Sequence, residues 1–321
     1  MSPIGPLRDL HLLPRTRDSW TFLYLEHAKI EQDGRSVAAF EASGRVPIPC
    51  ASLGTLMLGP GTTVTHAAIR ALAETGCLVM WTGEAGVRFY AQGMGETRSA
   101  RRLLRQAALV SHPAARMAIV RRMYTIRFAE PVDDDLTLRQ VRGMEGVRVR
   151  EAYARASRES GLPWAGRSYQ RDRWDAADPV NRALSAANSA LYGVVQAAIV
   201  SAGYSPGLGF IHTGKQLSFV YDIADLYKVD LTIPIAFEAV AAGGGDLERR
   251  VRTRCRDVFH ASRLVELILP DIDAVLGAAA DIDVAAFDED VAYPGGLWDP
   301  GAASVAGGTN YGEADQPDGR P

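Results

Sequence analysis

The spacing of apolar positions divides the chain in two. From Trp20 to about Tyr90, the short runs WTFLYLEHAKI, RSVAAFEA, GRVPIPC and GTLMLG are punctuated by Asp33-Gly34, Ser43-Gly44 and Gly59-Pro60-Gly61. That pattern predicts short strands joined by turns. One helix interrupts them, THAAIRALAETG, with Thr65 placed as its N-cap and Gly76 as its stop. CLVMWT and GVRFYA follow, joined through Gly83-Glu84-Ala85-Gly86. After Gly95 the apolar period changes to 3.6. It predicts helices over Ser99–Val110, Pro113–Phe128, Asp135–Ser160, Asp178–Ala202, Ser218–Lys228, Ile233–Ala242, Asp246–Leu269 and Asp271–Ala280, with Pro270 separating the last two. The change of period near Gly93–Arg98 marks a boundary. The expected organisation is α+β: a β-rich domain with one helix over residues 1–95, a larger α-helical domain over 96–285, and an acidic, Gly/Pro-rich flexible tail over 286–321.

Composition fits an ordinary soluble protein, 47% hydrophobic and 23% charged. No apolar run approaches the roughly 20 residues that span a bilayer, and the N-terminus has no signal-like apolar stretch. The three cysteines, Cys50, Cys77 and Cys255, are odd in number and far apart, which points to neither a disulfide framework nor a zinc cluster. A reduced, cytoplasmic protein without a membrane partner is expected. The net charge of −3 conceals an asymmetry: residues 271–321 carry eleven acids and one base, so the first 270 residues carry +7. Of the basic residues, 32 are Arg and three are Lys. Arg grips phosphate in bidentate fashion, so a basic body suits a polyanion, although a solvated surface gives the same count.

The densest chemistry lies in GLGFIHTGKQLSFVYDIADLYK, Gly207 to Lys228. Turn formers deliver one imidazole, His212, and a helix follows with Asp222 and Asp225 three residues apart. On a helix that spacing puts both carboxylates on one face, so the segment reads as half of a metal site. The same letters nearly match a nucleotide-binding loop through Gly209, Gly214 and Lys215. That motif needs Ser or Thr where Gln216 stands and a preceding strand where the pattern is helical. An ordinary acidic first turn remains the plain alternative for Asp222 and Asp225.

Three other stretches invite a functional reading. Gly143 and Gly146 bracket Glu145 in a helix, with Arg142, Arg148 and Arg150 around it. Each Gly costs about 1 kcal/mol against Ala in a helix, but it leaves room for a ligand to approach the glutamate. The connection GLPWAGRSYQRDRWDAAD interleaves Trp164, Tyr169 and Trp174 with Arg167, Arg171 and Arg173, which suits a stacking, phosphate-gripping loop or a loop pinned to the core. Arg249, Arg252 and Arg256 fall on one helix face, a stripe that follows a nucleic-acid backbone or simply meets water.

Together, RGMEGVRVR, GFIHTGK and LSFVYDIADLYK, with GPGTTVTHAAIR, WTGEAGVRFYA and CRDVF elsewhere, resemble the CRISPR-associated adaptation integrase family, "Cas-one", in its type I-E form. The similarity runs in order from about Trp20 to Leu269. It implies a homodimer assembled with the small partner protein "Cas-two". It also implies capture of short protospacer duplexes (double-stranded DNA) and joining of their 3′ ends into the CRISPR repeat array. The family's metal ligands fall on Glu145, His212 and Asp225. Asp222 matches a further active-site acid and Lys215 the lysine after the histidine. DNA-contacting basic positions match Arg70, Arg88, Arg249 and Arg252, and aromatic positions near the strand ends match Tyr169 and Tyr192. Two departures stand out: Thr63 occupies an arginine position, and His27 aligns with a wedge tyrosine. Imidazole and carboxylates without thiolate suit Mg2+ or Mn2+. The competing classes are a non-catalytic nucleic-acid scaffold and a metal hydrolase of small phosphate esters. The acidic tail, with Trp298, is expected to act as a recognition arm or electrostatic brake.

Overall fold

The computed structural model describes residues 22–34, 36–48, 50, 53–86, 88–93, 100–167 and 178–280. The tail expected over 286–321 lies outside the described residues, as do Tyr169, Arg171, Arg173 and Trp174.

The strand-rich part holds β1 (Phe22–Leu25), β2 (Lys29–Asp33), β3 (Ser36–Glu41), β4 (Gly44–Ile48), β5 (Thr55–Leu58), β6 (Thr63–Val64), β7 (Leu78–Thr82) and β8 (Phe89–Gly93), with helix α1 (His66–Glu74) between β6 and β7. The strands form two four-stranded sheets, ordered β1-β5-β7-β8 and β4-β3-β2-β6. β2-β3 and β3-β4 pair antiparallel, while β1-β5 and β5-β7 are parallel. The run from Trp20 to Ile30 is broken into β1 and β2 where His27 takes a left-handed φ of 53° and its amide donates to Pro60 O. As expected, Thr65 caps α1 by accepting from the Ala68 amide. Ala68, Ala71 and Leu72 of α1 close a core with Ile30, Val37 and Ile48 of one sheet and Leu56, Leu58 and Val79 of the other.

The helical part comprises α2 (Arg101–Ser111), α3 (Pro113–Phe128), α4 (Leu138–Ser160), α5 (Pro179–Ser201), α6 (Ser218–Ala224), α7 (Thr232–Ala241), α8 (Leu247–Ala261) and α9 (Leu264–Leu276). Thr137 and Gln140 form a reciprocal cap at the start of α4, and Gly161 ends it at φ 70°. Helix α5 is the hub. It packs against α6, α7, α8 and α9, and its Ala197 and Val200 meet Leu78 and Met80 of β7, joining the two parts of the chain. The sequence shows no obvious spanning run, yet by length and composition α5 would cross a bilayer; 61% of its apolar window is instead buried inside protein.

The two largest departures from the expected helix boundaries lie at Pro270 and Lys228. The break placed at Pro270 falls at Ser262–Arg263, where Arg263 adopts φ 52°, and Pro270 lies within α9. A proline at that position removes a single bond to the carbonyl of Glu266, in the first turn of the helix. Ile268, Leu269 and Ile272 on either side stay buried, so packing holds the helix through it. The helix expected to run to Lys228 stops at Ala224. The chain then tightens into turns, with Leu226 and Tyr227 amides donating to the carbonyls three residues back.

Candidate active site

The segment between α5 and α6 is held from both sides. Gln106 of α2, fully buried, donates to Ser205 O (3.1 Å) and Leu208 O (2.9 Å) and accepts from the Ser205 amide (2.8 Å). Arg116 of α3 donates through Nε and Nη2 to Phe210 O at 2.9 and 2.8 Å. At Gly209 a Cβ would lie 2.4 Å from His212 O and 2.8 Å from the Ser218 carbonyl carbon, so only glycine admits this close approach of backbone to backbone.

From α6, Asp222 anchors the same segment. Its carboxylate is fully buried and accepts from the amides of Phe210 (2.6 Å), Ile211 (3.1 Å) and His212 (2.9 Å). Its Oδ1 also lies 2.8 Å from His212 Nδ1. A carboxylate only accepts, so Nδ1 carries a proton, and in the neutral ring the lone pair lies on Nε2. The Asp222 side chain thus fixes both the backbone and the ring of His212.

A second group forms around Arg127 of α3, whose side chain is 3% exposed. Its Nη1 lies 3.8 Å from Glu145 Oε1, its Nη2 lies 3.4 Å from Asp225 Oδ2, and Nη2 donates to Asp222 O at 3.1 Å. Glu145 also meets Arg148 Nη1 at 3.4 Å, and Asp225 meets Lys228 Nζ at 2.5 Å. Burial pulls the Lys228 ammonium down most strongly, but Asp225 and Tyr192 together outweigh it and leave the lysine above its ordinary range. Lys228 also sits 4.8 Å from the Tyr192 ring centroid, and burial raises that phenol. Tyr221 continues the aromatic wall, edge-on to both Tyr192 and His212. Around Gly143 no atom lies within 4 Å of a Cβ position, and at Gly146 the nearest is Arg150 Nη1 at 3.9 Å, so the flanks of Glu145 are open.

Glu145, Asp222, Asp225 and His212 are therefore brought into one region from α4, α6 and the preceding loop. The two aspartates do not act as a matched pair on one face: Asp222 turns inward to His212, and Asp225 turns to Arg127 and Lys228. Among the described residues no three His, Cys, Asp or Glu side chains gather into a metal-sized cluster, since Arg127 stands between the two carboxylates and Asp222 holds the imidazole. Lys215 is exposed, and its backbone brackets Ser218 Oγ at the start of α6; the lysine in contact with an acid of the site is Lys228. Arg127 and Lys228 were not singled out in the sequence. Lys228 carries a signal there, three residues after Asp225, whereas Arg127 is one arginine among many.

The expected DNA-contacting residues are dispersed over the surface. Arg142 and Arg249 are exposed on α4 and α8, and Arg256 is exposed beside Asp257. Arg252 reaches Glu84 at 3.9 Å, on the loop that carries the exposed Arg88. Arg70 is exposed on α1 next to Glu74, and His27 is exposed at the β1-β2 break. Arg148 belongs to the Glu145 group and Tyr192 to the aromatic wall. Trp164 stacks on Tyr153 and meets Phe237 edge-on, which pins the start of its loop to the core.

A family model described as "CRISPR associated protein Cas1" matches residues 125–246, a span that contains Arg127, Glu145, His212, Asp222, Asp225 and Lys228. The chain is 52% identical over 320 residues to the CRISPR-associated endonuclease Cas1 2 of Thermus thermophilus, covering 99% of this chain and 98% of that protein. It is 43% identical over 275 residues to the CRISPR-associated endonuclease Cas1 of Escherichia coli K12, covering 85% and 90%. The crystal structure of a TtCas1-DNA complex superposes with a TM-score of 0.77 at 55% identity, over 82% of this chain and 99% of that one. Identity of this order across nearly the whole of both chains leaves one conclusion: the chain belongs to the Cas1 family of CRISPR-associated proteins.

Proposed function

We propose that this chain is a divalent-metal-dependent DNA endonuclease and integrase of CRISPR adaptation, of type I-E, with residues 96–285 as its catalytic domain. It captures short duplex protospacers and joins their 3′ ends into the CRISPR array, as a homodimer assembled with the small Cas-two partner in the cytoplasm. Relatives named as endonucleases and a similar protein crystallised with DNA support the reading. The observation that carries it is the convergence of Glu145 of α4 and Asp225, just after α6, on one buried guanidinium beside a histidine oriented by a buried carboxylate.

The donor types, rather than their present spacing, fit a hard cation. Two carboxylates and one neutral imidazole with a free Nε2 suit Mg2+ or Mn2+, and no thiolate is near. Glu145, His212 and Asp225 would hold the ion, which when bound polarises a phosphate and stabilises the displaced oxyanion. The remaining chemistry falls to the chain and its DNA. The 3′-hydroxyl of the incoming strand loses its proton and forms a P–O bond as the P–O bond to the displaced 3′-oxygen breaks and that oxygen takes up a proton, so one phosphodiester and one hydroxyl replace another pair without a protein nucleophile. Asp222 keeps His212 in one tautomer and one orientation. Lys228 and Arg148, and the exposed Lys215, offer positive charge to non-bridging oxygens. Tyr192 and Tyr221 present faces on which a terminal base stacks.

The test is strand joining with purified protein, partner, Mn2+ and a short duplex. Glu145→Gln is expected to lower the rate by about 100-fold or more while duplex affinity stays within about threefold. A Glu145→Gln protein that joins strands at the full rate would end the assignment. A second reading, a non-catalytic DNA-binding subunit, draws on Arg127 standing between the two carboxylates. It requires duplex binding and complex function that ignore both Glu145 and metal.

A further inference from the structure

We propose that Arg127 is a positioning residue, a permanent internal counter-cation that holds Glu145 and Asp225 facing each other and ties them to the histidine loop. The idea rests on the proposed active site for its setting, but its core is a charge coupling that needs no metal.

The geometry sets Arg127 apart from the surface arginines. It enters from α3, a third helix, and its side chain is 3% exposed, whereas those of Glu145 and Asp225 are 18% and 19% exposed and open outward. Its anchors are internal: the Asp222 carbonyl accepts from Nη2 at 3.1 Å, and the Tyr124 ring centroid lies 5.3 Å from the guanidinium carbon. The contacts to the carboxylates, 3.8 and 3.4 Å, are longer than the 2.7–2.9 Å of a tight charge-assisted hydrogen bond. Both acids therefore feel the charge without being saturated by it, and each keeps oxygen lone pairs for another ligand. Arg127 Nε is buried with no hydrogen-bond partner among the described residues. That cost is borne while the two Nη atoms reach three separate groups.

Asp222 makes the link continuous. Its carbonyl accepts from Arg127, and its carboxylate holds the amides and ring of the Phe210–His212 segment. One guanidinium thus sets the spacing of the carboxylates and, through a single residue, their placement relative to His212. A lysine cannot reproduce this, since an ammonium lacks the planar fork that reaches three acceptors in different directions. Without it, each carboxylate keeps only its own outer cation, Arg148 for Glu145 and Lys228 for Asp225, and no positive charge is shared between the two.

A double-mutant cycle in EDTA tests the coupling. Full-length wild type, Arg127→Met, Glu145→Gln and the double variant are melted side by side, and Asp225→Asn replaces Glu145→Gln in a parallel cycle. Arg127→Met is expected to lower Tm by about 4 °C or more, and removing one facing carboxylate is expected to restore about half of that loss. Simple additivity in both cycles would reduce Arg127 to an ordinary buried side chain and overturn the proposal, as would an unchanged Tm in Arg127→Met. If Arg127→Met does not accumulate as folded protein, the same cycle is run on Arg127→Gln, which also removes the charge but keeps a polar end for the Asp222 carbonyl. There, Glu145→Gln must again raise Tm relative to the single variant, and no gain overturns the proposal. A separate arm adds Mn2+, which is expected to raise the Tm of Arg127→Met more than that of wild type, because the ion supplies the missing charge. If Mn2+ shifts no variant, wild type included, the metal reading fails while the cycle in EDTA still decides the role of Arg127. If Mn2+ shifts both proteins equally, the charge-compensation part of the proposal is overturned.

Discussion

Replacing Asp222 with Asn swaps one carboxylate oxygen for an NH2 group in a site where every neighbour donates. The oxygen on one side accepts from Phe210 and Ile211, and the oxygen on the other accepts from the His212 amide and Nδ1. The least costly arrangement keeps the amide oxygen on Phe210 and Ile211 and turns the NH2 toward His212. The His212 amide then has no acceptor, which costs about 1–3 kcal/mol for a buried donor, and the surviving bonds lose their charge assistance. The expected loss is about 2–4 kcal/mol, or roughly 4–16 °C in Tm. The NH2 can bond to Nδ1 only if that nitrogen gives up its proton, so the proton moves to Nε2, the nitrogen expected to face the reaction. Nitrogen NMR of the histidine ring distinguishes the two tautomers directly. Urea unfolding with a loss under about 1 kcal/mol, or an unchanged Nδ1–H tautomer in Asp222→Asn, would refute the reasoning.

Further expectations concern the scaffold. Gly209→Ala forces a Cβ against the His212 and Ser218 backbone, and circular-dichroism melting should show a loss of about 2 kcal/mol or more. Gly143→Ala meets open space in α4, so the same melt should show a gain of up to about 1 kcal/mol; if the clearance beside Glu145 serves DNA, strand joining falls as stability rises. All three cysteines are buried and free, with the Cys255 thiol pushed up to about 12 by burial. A disulfide-exchange reagent at pH 8 should therefore label none quickly in the native protein and three in denaturant. The Arg182 hydrogen bond beside Glu248 holds its carboxyl below the usual range. The stabilisation is present above the unfolded-state value near pH 4.3 and is lost as pH falls through the lower folded value. Stability curves of Glu248→Gln should lie below wild type at pH 7 by about 0.5–1 kcal/mol and converge with it in acid.

Periodicity carried most of the fold because the elements that matter bury one face each. Helix α3 spans Pro113–Phe128 as its pattern predicts, and α5 falls within one residue of the expected ends. Where the sequence misled, packing overrode a local signal: Pro270 breaks isolated helices but here sits among buried neighbours, and the turn falls at Arg263 instead. Among the candidate residues, Glu145, His212, Asp222 and Asp225, which the structure brings into one region, were legible because acids and a histidine amid glycines are conspicuous. Their division of labour was not, since a three-residue spacing says nothing of which loop or helix each side chain meets. Arg127 was hidden for a different reason. Its part depends on burial at a three-helix junction, and a chain with 32 arginines offers no local mark for the one turned inward.

The position of α5 in the chain has a consequence for biosynthesis. Helices α6, α7, α8 and α9 pack against it, and the ribosome makes all of them after it. At roughly 5–20 residues per second, translating from Ser201 to Leu276 takes about 4–15 s. For that interval a helix apolar enough to enter a bilayer is exposed without its later partners. Holdase chaperones that bind apolar nascent segments would find their best footing here. A synonymous change that slows translation just after α5 lengthens the exposure and lowers the yield of folded protein, although the finished sequence is identical.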